Sequence, residues 1–246
     1  MFDIFADKLS SCDIILRREE ISRRLLQKRG NIASRNITVL DSTDLKLLFR
    51  LYDEIFLENW FRDNYKGKLE FSVSSRMTKS AGLTRCPKNI TGIRPEDVII
   101  EIKIGIDFFL NYGKVGGSNT ACGIDTRDSL EALQLVFEHE LCHTLEFINF
   151  GKSSCKGKRF KALAGSLFGH TESCHKLPTH RQIAGSILGI RIGDTVAFNF
   201  EGKKLKGILY RINKRATVMV PDRNGIMIDS RNNRYTKYYV PLSLIE

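Results

Sequence analysis

Five consecutive residues, His139-Glu140-Leu141-Cys142-His143, carry the clearest chemistry in this chain. Histidines four apart stack on one face of a helix, the spacing needed for two imidazoles to grip one metal ion. A glutamate beside the first histidine can then serve as general base toward a water at that metal, as in zinc-dependent hydrolysis. In this reading His139 and His143 are ligands and Glu140 is the catalytic residue. A catalytic zinc takes three protein ligands and keeps one position open, so a third donor is required. A plain helix with two hydrogen-bonded histidines would show the same pattern. Against it, all five histidines of the chain fall between His139 and His180.

The elements that must hold this pentapeptide are legible around it. Leu130, Leu133, Val136, Phe137, Leu141, Leu145 and Ile148 give one apolar face, so a helix is expected from Asp128, capped by Asp128 with Glu131, to Gly151. Amphipathic helices are expected over 13–29 and 43–65, and a further one over 158–168, closed by Gly169. Alternation at Leu69, Phe71 and Val73, and the run Val98 to Ile104, read as strands. Asp107 to Tyr112 reads as a helical turn and Gly113 to Ala121 as a loop. After Pro178 the period changes. Five short runs, 195–200, 205–212, 216–220, 226–228 and 235–240, with a turn at Glu201-Gly202, predict a small closed β-barrel.

With these elements in view, the residues resemble a family. His-Glu-Leu-Cys-His followed by Gly157-x-x-Phe160, the upstream segment Arg76 to Gly82, and Phe168-Gly169-His170-Thr171 with His175 are similar to the SprT-like zinc metalloproteases. That family includes the Spartan proteases, which digest proteins crosslinked to DNA. The resemblance implies an α+β, zincin-like SprT domain built on the HExxH helix, with zinc as cofactor. It also implies a third ligand from the histidine of a His-Gly-x-x-Phe motif, a position held here by Lys156. A lysine ammonium has no lone pair to give. The third ligand is then Cys155, the adjacent thiolate donor, or His170 (or His175) folding back from beyond the fourth helix; the remaining alternative is a two-histidine site with weak or no zinc. The segments 193–198 and 207–218 resemble a Tudor-like small barrel, a class of interaction module.

The domain organisation expected is a basic N-terminal helix over 1–35, a SprT-like metalloprotease domain over 36–180 and a small barrel over 190–246. The charge is uneven within it. Of a net +11, residues 151–184 carry seven basic and one acidic residue, and residues 185–246 carry 11 and five. Such a basic half is the footprint of a polyanion binder, so DNA or DNA-bound proteins are the expected partners. Lys203, Lys204, Lys206, Arg211, Lys214 and Arg215, interleaved with Tyr210, Tyr235, Tyr238 and Tyr239, form the expected nucleic-acid-binding group. No apolar run is long enough for a membrane span. Met1 to Ser10 lacks the order of a secretory signal, and six scattered cysteines without a C-x-x-C pair fit a reducing compartment. The expectation is therefore an intracellular protein, in cytoplasm or nucleus and not secreted. Two functions follow: a zinc metalloendopeptidase acting on DNA-associated proteins, or a nucleic-acid-binding protein whose SprT domain is degenerate. A third, a structural adaptor holding a protein tail through the barrel, predicts neither zinc nor DNA.

Overall fold

The computed structural model describes residues 4, 8–28, 30–116 and 119–246. Much of the stretch Met1 to Ser10, expected to lack a secretory signal, and part of the loop expected at 113–121 lie outside these residues. The chain is mixed α+β and divides into two compact units, up to Leu177 and from Pro178 onward. Among the described residues no helix is long and apolar enough to cross a membrane.

The first unit runs α1 (Ser11–Gln27), α2 (Ser42–Ile55), α3 (Trp60–Asn64), β1 (Lys68–Ser74), β2 (Gly82–Arg85), β3 (Ile99–Gly105), α4 (Asp107–Leu110), β4 (Thr120–Ala121), β5 (Ile124–Asp125), α5 (Ser129–Phe150) and α6 (Lys158–Phe168). Its main sheet has the order β1-β3-β2, with β1 parallel and β2 antiparallel to β3. Ile100, Ile102 and Ile104 of β3 are fully buried. They alternate with Glu101 and Lys103, which pair with each other at 3.0 Å, so one face of this central strand is buried and the other is polar.

Helix α5 is the axis of this unit. Fifteen of its 22 residues are buried, so it is enclosed nearly all round rather than along one stripe, and the buried set includes Gln134, Glu138, Glu140 and Glu146. Asp128 caps it by accepting the Glu131 N–H at 2.8 Å, and Gly151 ends it in the left-handed conformation at φ 66°. The expected capping box is only half made. Glu131 turns its carboxylate to the Arg127 N–H at 2.8 Å instead of to the cap residue.

The single helix expected over 43–65 is two. It stops at Ile55 because Glu58 and Asn59 take positive φ, and Asp53 accepts the Phe61 N–H at 2.9 Å to start the next helix. Helix α1 belongs to the core of this unit. Arg18 makes a two-pronged ion pair to Glu138 of α5 at 2.7 and 2.6 Å. Glu138 is fully buried and the Arg18 side chain nearly so, and the Tyr52 hydroxyl donates to the same carboxylate at 2.7 Å.

The second unit holds α7 (His180–Ile187), β6 (Thr195–Phe200), β7 (Lys203–Ile212), β8 (Arg215–Pro221), β9 (Met227–Ile228) and β10 (Arg234–Pro241). The sheet order is β6-β7-β8-β10-β9, and its pairings are antiparallel. Glu201 and Gly202, at φ 49° and 76°, make the tight turn between β6 and β7 whose twist matches the strands. Ala197 and Glu246 exchange both backbone hydrogen bonds, at 3.1 and 2.9 Å, so the last residue pairs with the outer edge of β6. Val196, Phe198, Leu209, Val218 and Val240 form the core, with Ala184 of α7 packed on it. A capping box at Thr179 and Gln182 starts helix α7.

Candidate metal centre

Helix α5 presents His139 and His143 one turn apart, with their Nε2 atoms 3.2 Å apart. Phe160, the aromatic residue of the Gly-x-x-Phe stretch, lies against both rings from α6, at centroid distances of 4.8 and 4.5 Å. Between α5 and α6 the loop after Gly151 brings in Cys155. The two imidazoles and the Cys155 thiol offer donor atoms that all lie within 4.8 Å of one another. Lys156 is exposed.

The donor chemistry fits zinc. A tetrahedral ion about 2.0–2.1 Å from each nitrogen would set those nitrogens roughly 3.3 Å apart. The ligand lone pairs are available as well, because burial pushes His143 down to about 4 and His139 down to about 3 from their ordinary value, leaving both neutral.

His143 is oriented by a chain of hydrogen bonds. Ser153 donates its hydroxyl proton to Glu146 at 2.6 Å, so its oxygen must accept from His143 Nδ1, also at 2.6 Å. This fixes the proton on Nδ1 and the lone pair on Nε2, the tautomer that a ligand needs. Glu146 is held in turn by Arg159 Nε at 2.7 Å and the Ser154 N–H at 3.3 Å.

Glu140 lines the same cleft, of about 340 Å³, as His139, His143 and Cys155. Its carboxylate is buried and pushed up to about 7 by loss of solvent, against the opposing hydrogen bond from Thr84. Thr84 Oγ1 stands 2.7 Å from Glu140 Oε2. The other oxygen lies over Gly82, where an added Cβ would come within 2.4 Å of Oε1. Strand β2 thus supplies both the hydrogen bond and the clearance for Glu140.

The remaining histidines stand apart from this donor set. His170 Nε2 lies 2.8 Å from Glu138 Oε2, within the buried group of Arg18 and Tyr52. His175 lines the cleft, but its Nε2 accepts the Ala81 N–H at 3.1 Å. The neutral ring therefore carries its proton on Nδ1, which is buried and has no partner among the described residues. Thr84, Ser153, Glu146 and Arg159 escaped the sequence reading. A threonine in a short strand and a serine in a loop carry no periodic signal, and only Glu146, three residues after His143 on the helix, was positioned to be noticed.

The six basic residues named from the sequence all lie in the second unit, on β7, in the turn after it and at the start of β8. Lys203, Lys204, Lys206, Arg211, Lys214 and Arg215 are polar-face or turn residues there. Lys204 is ion-paired to Glu246. Scans of this chain against protein-family models, curated proteins and solved structures each find no match.

Proposed function

We propose that this chain is a SprT-like zinc-dependent metallopeptidase acting on DNA-associated proteins. The observation that carries the reading is the convergence of His139, His143 and Cys155 beside the buried Glu140 in one cleft. Zinc, when bound, supplies Lewis acidity toward the attacking water and the scissile carbonyl. His139 and His143 hold it through Nε2, and Cys155 is the third ligand. Glu140 takes a proton from the attacking water and passes it to the leaving amine nitrogen, which breaks the peptide C–N bond. Gly82 and Thr84 keep its carboxylate aimed and desolvated. The second unit is read as a Tudor-like barrel, supported by the Ala197–Glu246 pairing at the outer edge of β6. Its basic surface would hold DNA and select substrates by proximity.

The test is zinc stoichiometry by elemental analysis, together with cleavage of a DNA-bound protein. About one zinc per chain is expected, lost in Cys155→Ala and kept in Glu140→Gln. The latter should lose 10²-fold or more in cleavage, on the order of the usual general-base contribution. Unchanged cleavage by Glu140→Gln would overturn the mechanism. A second reading, a nucleic-acid-binding protein with a non-catalytic SprT-like domain, is favoured by Lys156 at the position where the resembling family has its third histidine. It predicts no zinc after reconstitution and intact DNA binding.

A further inference from the structure

The second unit sorts its tyrosines by strand alternation. Tyr238 turns inward, packing on Phe198 and Phe200 at centroid distances of 5.5 and 5.1 Å. Tyr235 donates its hydroxyl to Asp229 at 3.1 Å. Tyr210 and Tyr239 are left as the exposed rings, at 58% and 63%. They are neighbours across the sheet. Tyr239 pairs with Thr217 of β8 on one side, and on the other Thr217 pairs with Arg211, beside a bulge that holds Tyr210. The two rings therefore flank one strand, with their backbones about 10 Å apart.

The next row on the same face is Ile208, Met219 and Lys237. Lys206, two residues before Ile208 on β7, has the same orientation. Lys206, Arg211 and Lys237 form no ion pair among the described residues. Of the five acidic residues of this unit, Glu201 lies in the β6–β7 turn and Asp229 accepts the Tyr235 hydroxyl at the far end of β10. Asp194, Asp222 and Asp229 are tied to backbone or side-chain donors of their own turns, and Glu246 is paired with Lys204.

We propose that the outer face of β7, β8 and β10 is a single-stranded DNA platform, on which Tyr210 and Tyr239 each stack one base while Lys206, Arg211 and Lys237 track the phosphates. Two exposed rings can be used only by bases with open faces, which a duplex does not offer. Three uncompensated cations around the rings repel a basic protein tail, the other ligand that aromatic surfaces favour. This inference rests on the DNA-associated reading of the second unit and is independent of the peptidase chemistry.

The full-length chain is titrated, by fluorescence anisotropy, into labelled oligo-dT of about 12 nucleotides, within the usual site size, and into a duplex and an oligo-U of equal length. Oligo-dT is expected to bind more tightly than the duplex and at least as tightly as oligo-U. Tyr210→Ala and Tyr239→Ala should each weaken oligo-dT binding about 5- to 150-fold, the usual range for one lost base stack, while Tyr210→Phe and Tyr239→Phe retain it. Lys237→Ala should lower the slope of log affinity against log salt by about 0.7. Tight duplex binding with silent tyrosine variants would overturn the platform and leave the DNA reading standing. Binding confined to oligo-U would overturn the choice of DNA. Failure to bind any of the three would remove both, whatever the zinc and cleavage assays report.

Discussion

Each residue of the candidate centre acts through a neighbour. In the proposed centre His143 would be a ligand only in the tautomer that Ser153 and Glu146 impose. Ser153→Ala is therefore expected to weaken zinc affinity about 10- to 100-fold, as the loss of an orienting partner does elsewhere, with the fold unchanged. Competition with a metallochromic chelator measures this, and unaltered affinity would mean that the hydrogen bond does not hold the ring. Cys155 and His170 are separated by the same logic. Cys155→Ala should lose zinc. His170→Ala should keep it and instead lower the melting temperature, because it strips a partner from the buried Glu138. Gly82→Ala would press on Glu140 Oε1 and should reduce kcat while zinc remains bound. A kcat equal to the parent's would show that the carboxylate has room to move.

At the scale of elements, α5 carries the site and α1 braces it. The Arg18–Glu138 pair joins the two, with side-chain exposures of 11% and 0%. Glu138 neighbours His139 in sequence but points to the opposite side, into the group formed by Tyr52, Arg18 and His170. Loss of one partner leaves a buried charge uncompensated, which typically costs about 3–5 kcal/mol. Arg18→Ala should therefore destabilise the first unit by that order in urea unfolding. A loss below about 1 kcal/mol, the scale of exposed pairs, would show that water reaches Glu138. The edge strand β2 has a comparable role toward Glu140, through Gly82 and Thr84.

At the scale of the molecule, each of the two units has its own hydrophobic core. Residues 178–246, expressed alone, are expected to unfold cooperatively on heating, followed by circular dichroism. Domains of about 55–65 residues do fold alone when their core is closed. Non-cooperative melting would show that this core depends on the rest of the chain. The charge also divides by unit, since residues 185–246 have more than twice as many basic as acidic residues. DNA affinity of the whole chain should accordingly fall steeply with salt.

The sequence by itself determined the elements whose signals are local. The α5 helix with its histidine pair, the Lys158–Phe168 helix with its glycine stop, and the five strands near the C-terminus follow from apolar period, caps and turn residues, because these act within a few positions of one another. It also marked His139, Glu140 and His143, since helical spacing is written directly in the chain. Tertiary structure decided which other groups face them. Cys155 rather than His170 lies beside the histidines because the α5–α6 loop folds back over the helix face while Glu138 and Arg18 claim His170. Thr84 and Ser153 acquire their roles only when β2 and that loop meet α5. Such contacts join residues 10 to 56 positions apart, and their energy depends on distance in space, which no local pattern of residue types encodes.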